Sequence, residues 1–267
     1  PLKPLMRQQL HYDWHWQWAT GNGDIGNQGL HQMDMCRWVL QQDKLPEQVM
    51  SIGGRFGYDD DGETANTQIT VLDYKPAPII FEVRGLPARR NAGYMDNYLG
   101  IRVGIVVKCE NGYFAGSTGG GWMYDNKGNR IKQFTSGGGG GHQQNFIDAM
   151  RSRKISDLNA DIETGHLSTV LSHMANISYR LGQRRDSEAI RNAIDNDTVK
   201  KVYHRFEEHL FANWIDPNQT LPLLGPTLSV QYGEEKFVSN EDYDAGYWAN
   251  RMLEENYREP FVVPDKV

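Results

Sequence analysis

Segments in which hydrophobic and polar residues alternate fill the first half of the chain. The two-residue period predicts strands at residues 48–56, 68–74, 79–84 and 101–108, and a further hairpin at 124–132. In the fourth segment every second residue is aliphatic: Ile101, Val103, Ile105 and Val107. Short turns between neighbouring segments, such as 75–78 and 126–129, favour antiparallel pairing over parallel crossovers.

Helical periodicity dominates after the glycine run at residues 137–141. It predicts helices at 145–153, 162–181, 198–212 and 241–257, with 220–238 irregular or a late hairpin. The glycine run itself predicts a mobile connector. Strands followed by helices indicate an α+β fold, an open and mostly antiparallel β-sheet with helices packed on one face. We interpret residues 1–267 as one domain.

Composition excludes several classes of function. The 267 residues are 39% hydrophobic, which is enough for a sizeable core, and the net charge of −6 argues against a nucleic-acid partner. The mean hydropathy is −0.65, and no apolar run approaches the roughly 20 residues of a membrane span. The cysteines, Cys36 and Cys109, are too few for a disulfide framework. They leave the compartment open between the cytoplasm and, with an export signal upstream, the periplasm.

Glycines at 21, 23 and 26 match the pattern G-x-G-x-x-G of dinucleotide-binding loops. Such a loop must follow a buried strand in a βαβ unit, whereas aromatic and polar residues precede Gly21. The run at 137–141 lacks the following Lys-Ser/Thr of a phosphate loop. We therefore predict no cofactor-binding residue in this chain.

Residues 12–18 alternate between aromatic and polar side chains. As an extended strand they place Tyr12, Trp14, Trp16 and Trp18 on one side and His11, Asp13, His15 and Gln17 on the other. This pattern fits an aromatic core strand with a solvated face as well as a binding surface. The triplet His11, Asp13 and His15 lacks a fourth ligand, so no metal site is predicted.

A helix predicted over residues 27–40 carries polar residues along one stripe: Asn27, His31, Asp34 and Trp38. Asn27 suits the N-cap position. A histidine in the first turn lies near the positive end of the helix dipole, which favours the neutral ring that acts as a base. Asp34 could instead hold His31 by hydrogen bonding, and the residues alone leave both interpretations open.

The segment Trp14-x-Trp16-x-Trp18 and the block Gly21-x-Gly23-Asp24-x-Gly26-Asn27-x-Gly29-x-His31-Gln32-Met33-Asp34 resemble the Gfo/Idh/MocA family of NAD(P)-dependent oxidoreductases. The resemblance is to the bacterial-type C-terminal domain. It extends over nearly the whole chain through residues 81–86, 142–151, 165–168 and 175–177.

The resemblance implies a substrate-binding and oligomerisation domain built on an open antiparallel sheet. In the family, NAD or NADP binds mainly to an N-terminal Rossmann domain, which this chain does not include. The family's Glu-Lys-Pro lysine has no match, because Tyr74 precedes Lys75-Pro76. His31 maps onto the proton-transfer histidine and Asp34 onto the aspartate that follows it. Asn27 stands where many members have aspartate, and an amide cannot take a proton.

These observations predict hydride transfer between nicotinamide and a secondary alcohol or ketone of a sugar or sugar derivative. His31, Asn27 and Asp34 are the predicted catalytic residues, and the predicted substrate-binding residues are His15, Trp16, Trp18 and Asp24. A homo-oligomer is expected through the sheet, and the isolated chain is expected to be inactive. Two alternatives remain, namely redox-assisted glycoside cleavage and a non-catalytic sugar-binding or oligomerisation module.

Overall fold

The computed structural model describes residues 12–135, 140–254 and 257–262. The strands of this part are β1 (Gln48–Gly54), β2 (Thr67–Asp73), β3 (Ile79–Arg84), β4 (Ile105–Cys109), β5 (Gly112–Ser117), β6 (Gly120–Asp125), β7 (Arg130–Thr135), β8 (Gln183–Arg184), β9 (Leu223–Leu224) and β10 (Leu228–Ser229). The α-helices are α1 (Leu30–Leu40), α2 (His142–Ser152), α3 (Ile162–Arg180), α4 (Ser187–Ala193), α5 (Asp197–Ala212) and α6 (Ala245–Arg251). A π-helical turn, Ile25–Gly29, leads into α1, and 3₁₀ turns lie at Asp13–Trp16 and Ile155–Asp157.

The strands form two antiparallel sheets. The larger has the order β3-β2-β1-β9-β8, with β10 also paired to β1, and the smaller has the order β4-β5-β6-β7. Every named pairing within them is antiparallel. The predicted α+β class with an open antiparallel sheet is confirmed. Among the described residues no helix is long and apolar enough to cross a membrane.

One face of the larger sheet packs against α1 and α3. Val49 of β1 lies opposite Leu72 of β2, and both belong to a buried cluster that includes Leu171 and Met174 of α3. The Ser51 hydroxyl, on the same face, donates a hydrogen bond to the carbonyl of Ala175 at 2.8 Å. Alternation along β1 and β2 thus turns every second side chain toward these helices.

The other face of the same strands carries a second cluster. Ile52 of β1 lies opposite Ile69 of β2, and both pack with Ile190 of α4 and with Tyr203 and Phe206 of α5. The larger sheet is therefore covered by helices on both faces, whereas the sequence predicts helices on one. The strands β1 and β2 carry apolar residues on both faces, so each face needs its own helical cover.

Most strand predictions hold, and the fourth needs a correction. The segments 48–56, 68–74 and 79–84 correspond to β1, β2 and β3. The segment 101–108 does not begin as a strand, because Tyr98 and Ile101 exchange two backbone hydrogen bonds of 2.9 Å around a turn. Residues Leu99 and Gly100 in that turn have φ values of 49° and 82°. The strand β4 begins only at Ile105.

The helix predictions hold where a side chain caps the start of the predicted helix. The side chains of Asp161, Asn196 and Asp244 accept backbone hydrogen bonds at the starts of α3, α5 and α6. The helix predicted at 241–257 is shorter than expected, because the Asp244 cap delays its start to Ala245. In 220–238, β9 and β10 pair with β1, and the chain after β10 folds back on itself. Val230 and Phe237 form an antiparallel bridge, and the Val238 amide donates to the Ser229 carbonyl at 2.8 Å, so the predicted late hairpin forms. The predicted connector at 137–141 falls mostly outside the described residues.

Candidate functional site

The aromatic segment before the glycine block is a 3₁₀ turn, which corrects the predicted strand. The turn covers Asp13–Trp16, so one residue in three points inward instead of every second residue. His15 is buried with 1% of its surface exposed, whereas Trp14 is 51% exposed, the reverse of the predicted aromatic side. Gly21 makes this possible, because a Cβ there would lie 2.4 Å from the Cα of His15.

Hydrogen bonding fixes the orientation of the buried His15 ring. Its Nδ1 atom lies 2.5 Å from the backbone carbonyl oxygen of Tyr12. A carbonyl oxygen only accepts, so Nδ1 must carry a hydrogen. The other nitrogen, Nε2, has no hydrogen-bond partner among the described residues and lies 3.7 Å from Oδ1 of Asp24. The imidazole therefore presents Nε2 to the Asp24 carboxyl group.

Asp24 comes directly before the π-helical turn and is about two-thirds buried, with 31% of its side chain exposed. Burial raises the pKa of this carboxyl group above its usual range, and the nearby charges of His15 and Arg55 oppose that rise. Asp24 consequently keeps its proton to a higher pH than an exposed aspartate does.

Arg55, just after β1, is locked in place by neighbouring side chains. Its Nε and Nη2 atoms donate to the two carboxylate oxygens of Asp60 at 2.6 and 2.7 Å. The guanidinium carbon lies 5.1 Å from the ring centre of Trp16 and 5.2 Å from that of Tyr58. Gly62 is close as well, since a Cβ there would lie 2.2 Å from the guanidinium carbon. Such a side chain is organised before any ligand arrives.

A small cavity of about 140 Å³ lies between these groups. It is lined by two aromatic residues, two carboxyl groups, one guanidinium group, one amide and one glycine: Trp16, Tyr58, Asp24, Asp60, Arg55, Asn66 and Gly85. The Nη1 atom of Arg55 is buried and has no hydrogen-bond partner among the described residues. The cavity is similar in size to the ~150 Å³ cavity that holds a benzene ring, so it accommodates one ring or one side group of a ligand.

Sequence reasoning missed Arg55, Tyr58 and Asp60. A usable signal was present, because an arginine directly after a strand is followed within six residues by three consecutive aspartates, Asp59 to Asp61. A cation placed next to several carboxylates in a glycine-bounded loop is typical of a structured polar loop.

Three of the four predicted substrate-binding residues come together here. Trp16 and Asp24 line the cavity, and His15 lies next to both of them. The structure does not bring Trp18 to it. The Trp18 ring packs instead 6.4 Å from the ring of Tyr179 and 5.0 Å from the guanidinium carbon of Arg180 on α3.

Asn27 lies inside the π-helical turn and is not an N-cap, because residues 23 and 24 before the turn are already helical. Helical backbone begins at residue 23 rather than at the predicted residue 27, and Gly29 before α1 is itself helical, with φ of −61° and ψ of −37°. The Asn27 amide donates a 2.6 Å hydrogen bond to the hydroxyl of Tyr12. Because Tyr12 also receives the His15 hydrogen bond, Asn27 belongs to the same local network.

His31 and Asp34 share α1 but not a contact. His31 is exposed, and no hydrogen bond or ion pair joins it to Asp34. The Asp34 carboxylate accepts a 2.5 Å hydrogen bond from the hydroxyl of Ser168 on α3. The interpretation of His31 as a core histidine held by Asp34 is therefore wrong. His31 also lies outside the residues that line the cavity.

The glycines at 21 to 26 fit a dinucleotide poorly. They follow a 3₁₀ turn rather than a strand, and protein atoms already occupy the space beside them: a Cβ would lie 2.4 Å from the Cα of His15 at Gly21 and 2.8 Å from the Cβ of Thr64 at Gly23. A Cβ on Gly26 would lie 2.3 Å from the Cβ of Asn22, so that glycine serves internal packing rather than the approach of a pyrophosphate. In the part of the chain that the structure describes, no three His, Cys, Asp or Glu side chains are grouped to hold a metal ion.

No protein-family model and no curated protein sequence matches the chain. Among solved structures it is similar to a protein provisionally named an oxidoreductase from Thermotoga maritima, with 18% identity, a TM-score of 0.47 and coverage of 68% of this chain and 51% of that one. A provisionally named oxidoreductase from Erwinia carotovora atroseptica has 16% identity, a TM-score of 0.45 and coverage of 65% and 53%. The matched region spans about half the length of these proteins. Similarities of this size identify neither a shared family nor a shared activity.

Proposed function

We propose that this chain is the substrate-binding part of an oxidoreductase that acts on a secondary alcohol or ketone of a sugar or sugar derivative. The observation that carries the proposal is the cavity that Arg55 and Asp24 line together with two aromatic rings, where the buried Nη1 donor of Arg55 has no partner among the described residues. Sugar hydroxyls both donate and accept hydrogen bonds, so such a pair suits them.

Aromatic residues next to the polar pair add to this fit. The C–H groups of a sugar ring pack on aromatic surfaces, while its hydroxyl groups need partners in the same plane. Trp16 and Tyr58 supply the first kind of surface, and Arg55 with Asp24 supplies the second. The cavity volume of about 140 Å³ limits the bound part to one ring.

NAD or NADP remains part of the proposal and would supply or remove a hydride at the substrate carbon. Residues 21–26 do not form a nucleotide-binding loop, so the nucleotide would bind to a part of the protein other than this segment. His31 remains the proposed residue that takes the proton of the reacting hydroxyl, because its ring is exposed on α1 and is not tied to Asp34. Its position outside the cavity requires the reacting carbon to extend beyond the bound ring.

Binding of simple polyols to the 267-residue chain tests the cavity. D-glucose, D-glucuronate and myo-inositol would each be titrated while the indole N–H signal of Trp16 is followed by NMR. We expect at least one of them to shift this signal in a saturable way, and Arg55→Leu to abolish the shift. Arg89→Leu is the matched control, because Arg89 is exposed and does not line the cavity. Equal binding by the two variants would contradict the proposal.

A further inference from the structure

We propose that Asp24 and His15 form a proton-transfer pair for the cavity, and that Arg55 Nη1 holds the ligand oxygen that exchanges the proton. This rests on the proposed function in one respect, that a ligand carrying oxygen occupies the cavity. It adds a second acid–base group, distinct from His31, and it makes the cavity a site for an oxygen that bears or develops negative charge.

The hydrogen-bond geometry of His15 carries the first step of the argument. Because Nδ1 donates to the Tyr12 carbonyl, a neutral His15 has a lone pair on Nε2. That lone pair would face an Asp24 oxygen at 3.7 Å, and an ionised carboxylate there would meet a second acceptor. One proton, carried by either Nε2 or the carboxyl group, removes this conflict. The pair therefore stores one proton in the absence of ligand.

The position of Asp24 carries the second step. His15 is fully enclosed, whereas Asp24 both contacts it and lines the cavity. Only Asp24 can pass the stored proton to a ligand. Its exposed fraction of 31% also lets water restore the proton after each transfer.

The charged and titratable groups around Asp24 favour a negative ligand oxygen. His15 faces Asp24 from the 3₁₀ turn, and Arg55, Tyr58 and Asp60 face the cavity from the loop after β1. The Asp60 carboxylate is occupied by Nε and Nη2 of Arg55, which leaves Nη1 as a donor without a partner among the described residues. A charge-assisted hydrogen bond from Nη1 stabilises an oxyanion beside the proton donor.

The transfer balances within these groups. The O–H bond of the Asp24 carboxyl group breaks, an O–H bond forms on the ligand oxygen, and the electron pair of the broken bond stays on Asp24 as a carboxylate. That carboxylate lies near the positive charge of Arg55, which lowers the cost of the ionised state. In the reverse direction the Asp24 carboxylate takes the proton of a ligand hydroxyl.

Acetate provides a probe of the pair, since one of its oxygens can accept from Nη1 and from a protonated Asp24. Its affinity for the 267-residue chain would be measured by NMR from about pH 5 to about pH 8, where acetate is largely ionised. Because binding needs one proton on Asp24, we expect affinity to fall about tenfold per pH unit above the pKa of that group. In Asp24→Asn the amide donates at every pH, so the fall should disappear.

The control is Asp43→Asn, because Asp43 is exposed and lies outside the cavity. The acetate affinity of this variant should depend on pH as that of the wild type does. The carbon-13 shift of the Asp24 carboxyl group, followed in the unmodified protein, should show a higher titration midpoint with acetate than without it. Acetate binding that is independent of pH would overturn the proton pair while leaving the cavity as a polyol site. No acetate binding at any pH would overturn the oxyanion site, whereas the proposed function is decided by the polyol titration.

Discussion

The hydroxyl of Ser168 donates a hydrogen bond to the Asp34 carboxylate and accepts one from the guanidinium group of Arg37, and the donor–acceptor distance is 2.5 Å in both. Arg37 is 3% exposed and also donates to the backbone carbonyls of Thr164 and Gln42. A single side chain of α3 thus joins a carboxylate and a buried cation of α1. The polar partner of Asp34 is therefore the neighbouring helix, which leaves His31 to the solvent.

Removal of this hydroxyl should destabilise the fold. Ser168→Ala leaves one hydrogen-bond position of the buried Arg37 and one of Asp34 without a partner, and we expect the free energy of unfolding to fall by about 1–3 kcal/mol. Urea denaturation of both proteins measures the difference. Ser156→Ala is the control, because Ser156 is exposed in the 3₁₀ turn before α3 and should change stability by less than about 0.5 kcal/mol.

The exposure of His31 separates its effects on stability and activity. We expect His31→Ala to change the free energy of unfolding by less than about 0.5 kcal/mol, because no described residue hydrogen-bonds to the ring. In a protein that joins this chain to a nicotinamide-binding domain, the same change should lower turnover by about 10²–10⁴-fold. Thermal melting and absorbance assays of NADH formation provide the two measurements.

His31→Asn provides the control for His31, since an amide hydrogen-bonds but does not carry the proton. The variant should be as inactive as His31→Ala. Wild-type turnover with an unchanged pH–rate profile would remove His31 from the mechanism.

His209 on α5 should make stability depend on acid pH. Burial and then the charge of Arg84 lower the pKa of this ring from 6.5 to about 4, although the Asp96 carboxylate lies 3.5 Å from Nδ1. The other charged groups that influence the ring are Glu82 and Arg205. Below about pH 6.5 the unfolded chain binds a proton at this ring, whereas the folded chain binds it only below about pH 4. Unfolding free energy should therefore fall by about 3 kcal/mol across that interval because of this residue.

Denaturation curves at several pH values check the role of His209. His209→Gln stays neutral at every pH, so its stability should fall less than that of the wild type between about pH 6.5 and about pH 4. His204→Gln lies on the same helix with a side chain 70% exposed, and it should keep the wild-type dependence. Identical acid profiles for the wild type and His209→Gln would exclude the buried neutral ring.

An oligomer remains expected through the smaller sheet. Phe134 and Met123 are 41% and 38% exposed, and they share one face because Phe134 lies opposite Gly121, two residues from Met123. Apolar side chains clustered on an exposed sheet face are typical of an interface. Light scattering should show an oligomer for the wild type and a monomer for Phe134→Glu.

Ile162→Glu serves as the comparison for the sheet variant. Ile162 is 89% exposed at the start of α3, outside both sheets, and its replacement should leave the mass unchanged. A monomeric wild type would remove the proposed interface altogether.

The alternating pattern predicted β1, β2 and β3, because in those strands the side-chain period decides which residues are buried. The same pattern misled at residues 12–18. There the chain turns so that His15 packs under Gly21, and a two-residue alternation is also compatible with a 3₁₀ turn that hides one residue in three. Local periodicity does not report this long-range packing.

The site was predicted in part for a similar reason. His15, Trp16 and Asp24 lie close together in the sequence, and their chemistry marked them as a group. Arg55 joins them only because the loop after β1 folds back over Trp16, and its pairing with Asp60 decides which guanidinium nitrogen remains to bind a ligand. That choice depends on loop conformation rather than on any repeating pattern.

Among the described residues, those that line the cavity run from Trp16 to Gly85. The smaller sheet and the described helices after it supply none of the lining, and α3 contacts the cavity segment behind it, where the Asn176 amide donates to the Asn22 carbonyl at 2.9 Å. Substitutions and insertions in the later region can therefore arise without changing the residues that line the cavity. The first segment can therefore diverge toward new ligands while the rest of the chain evolves separately to control assembly and stability.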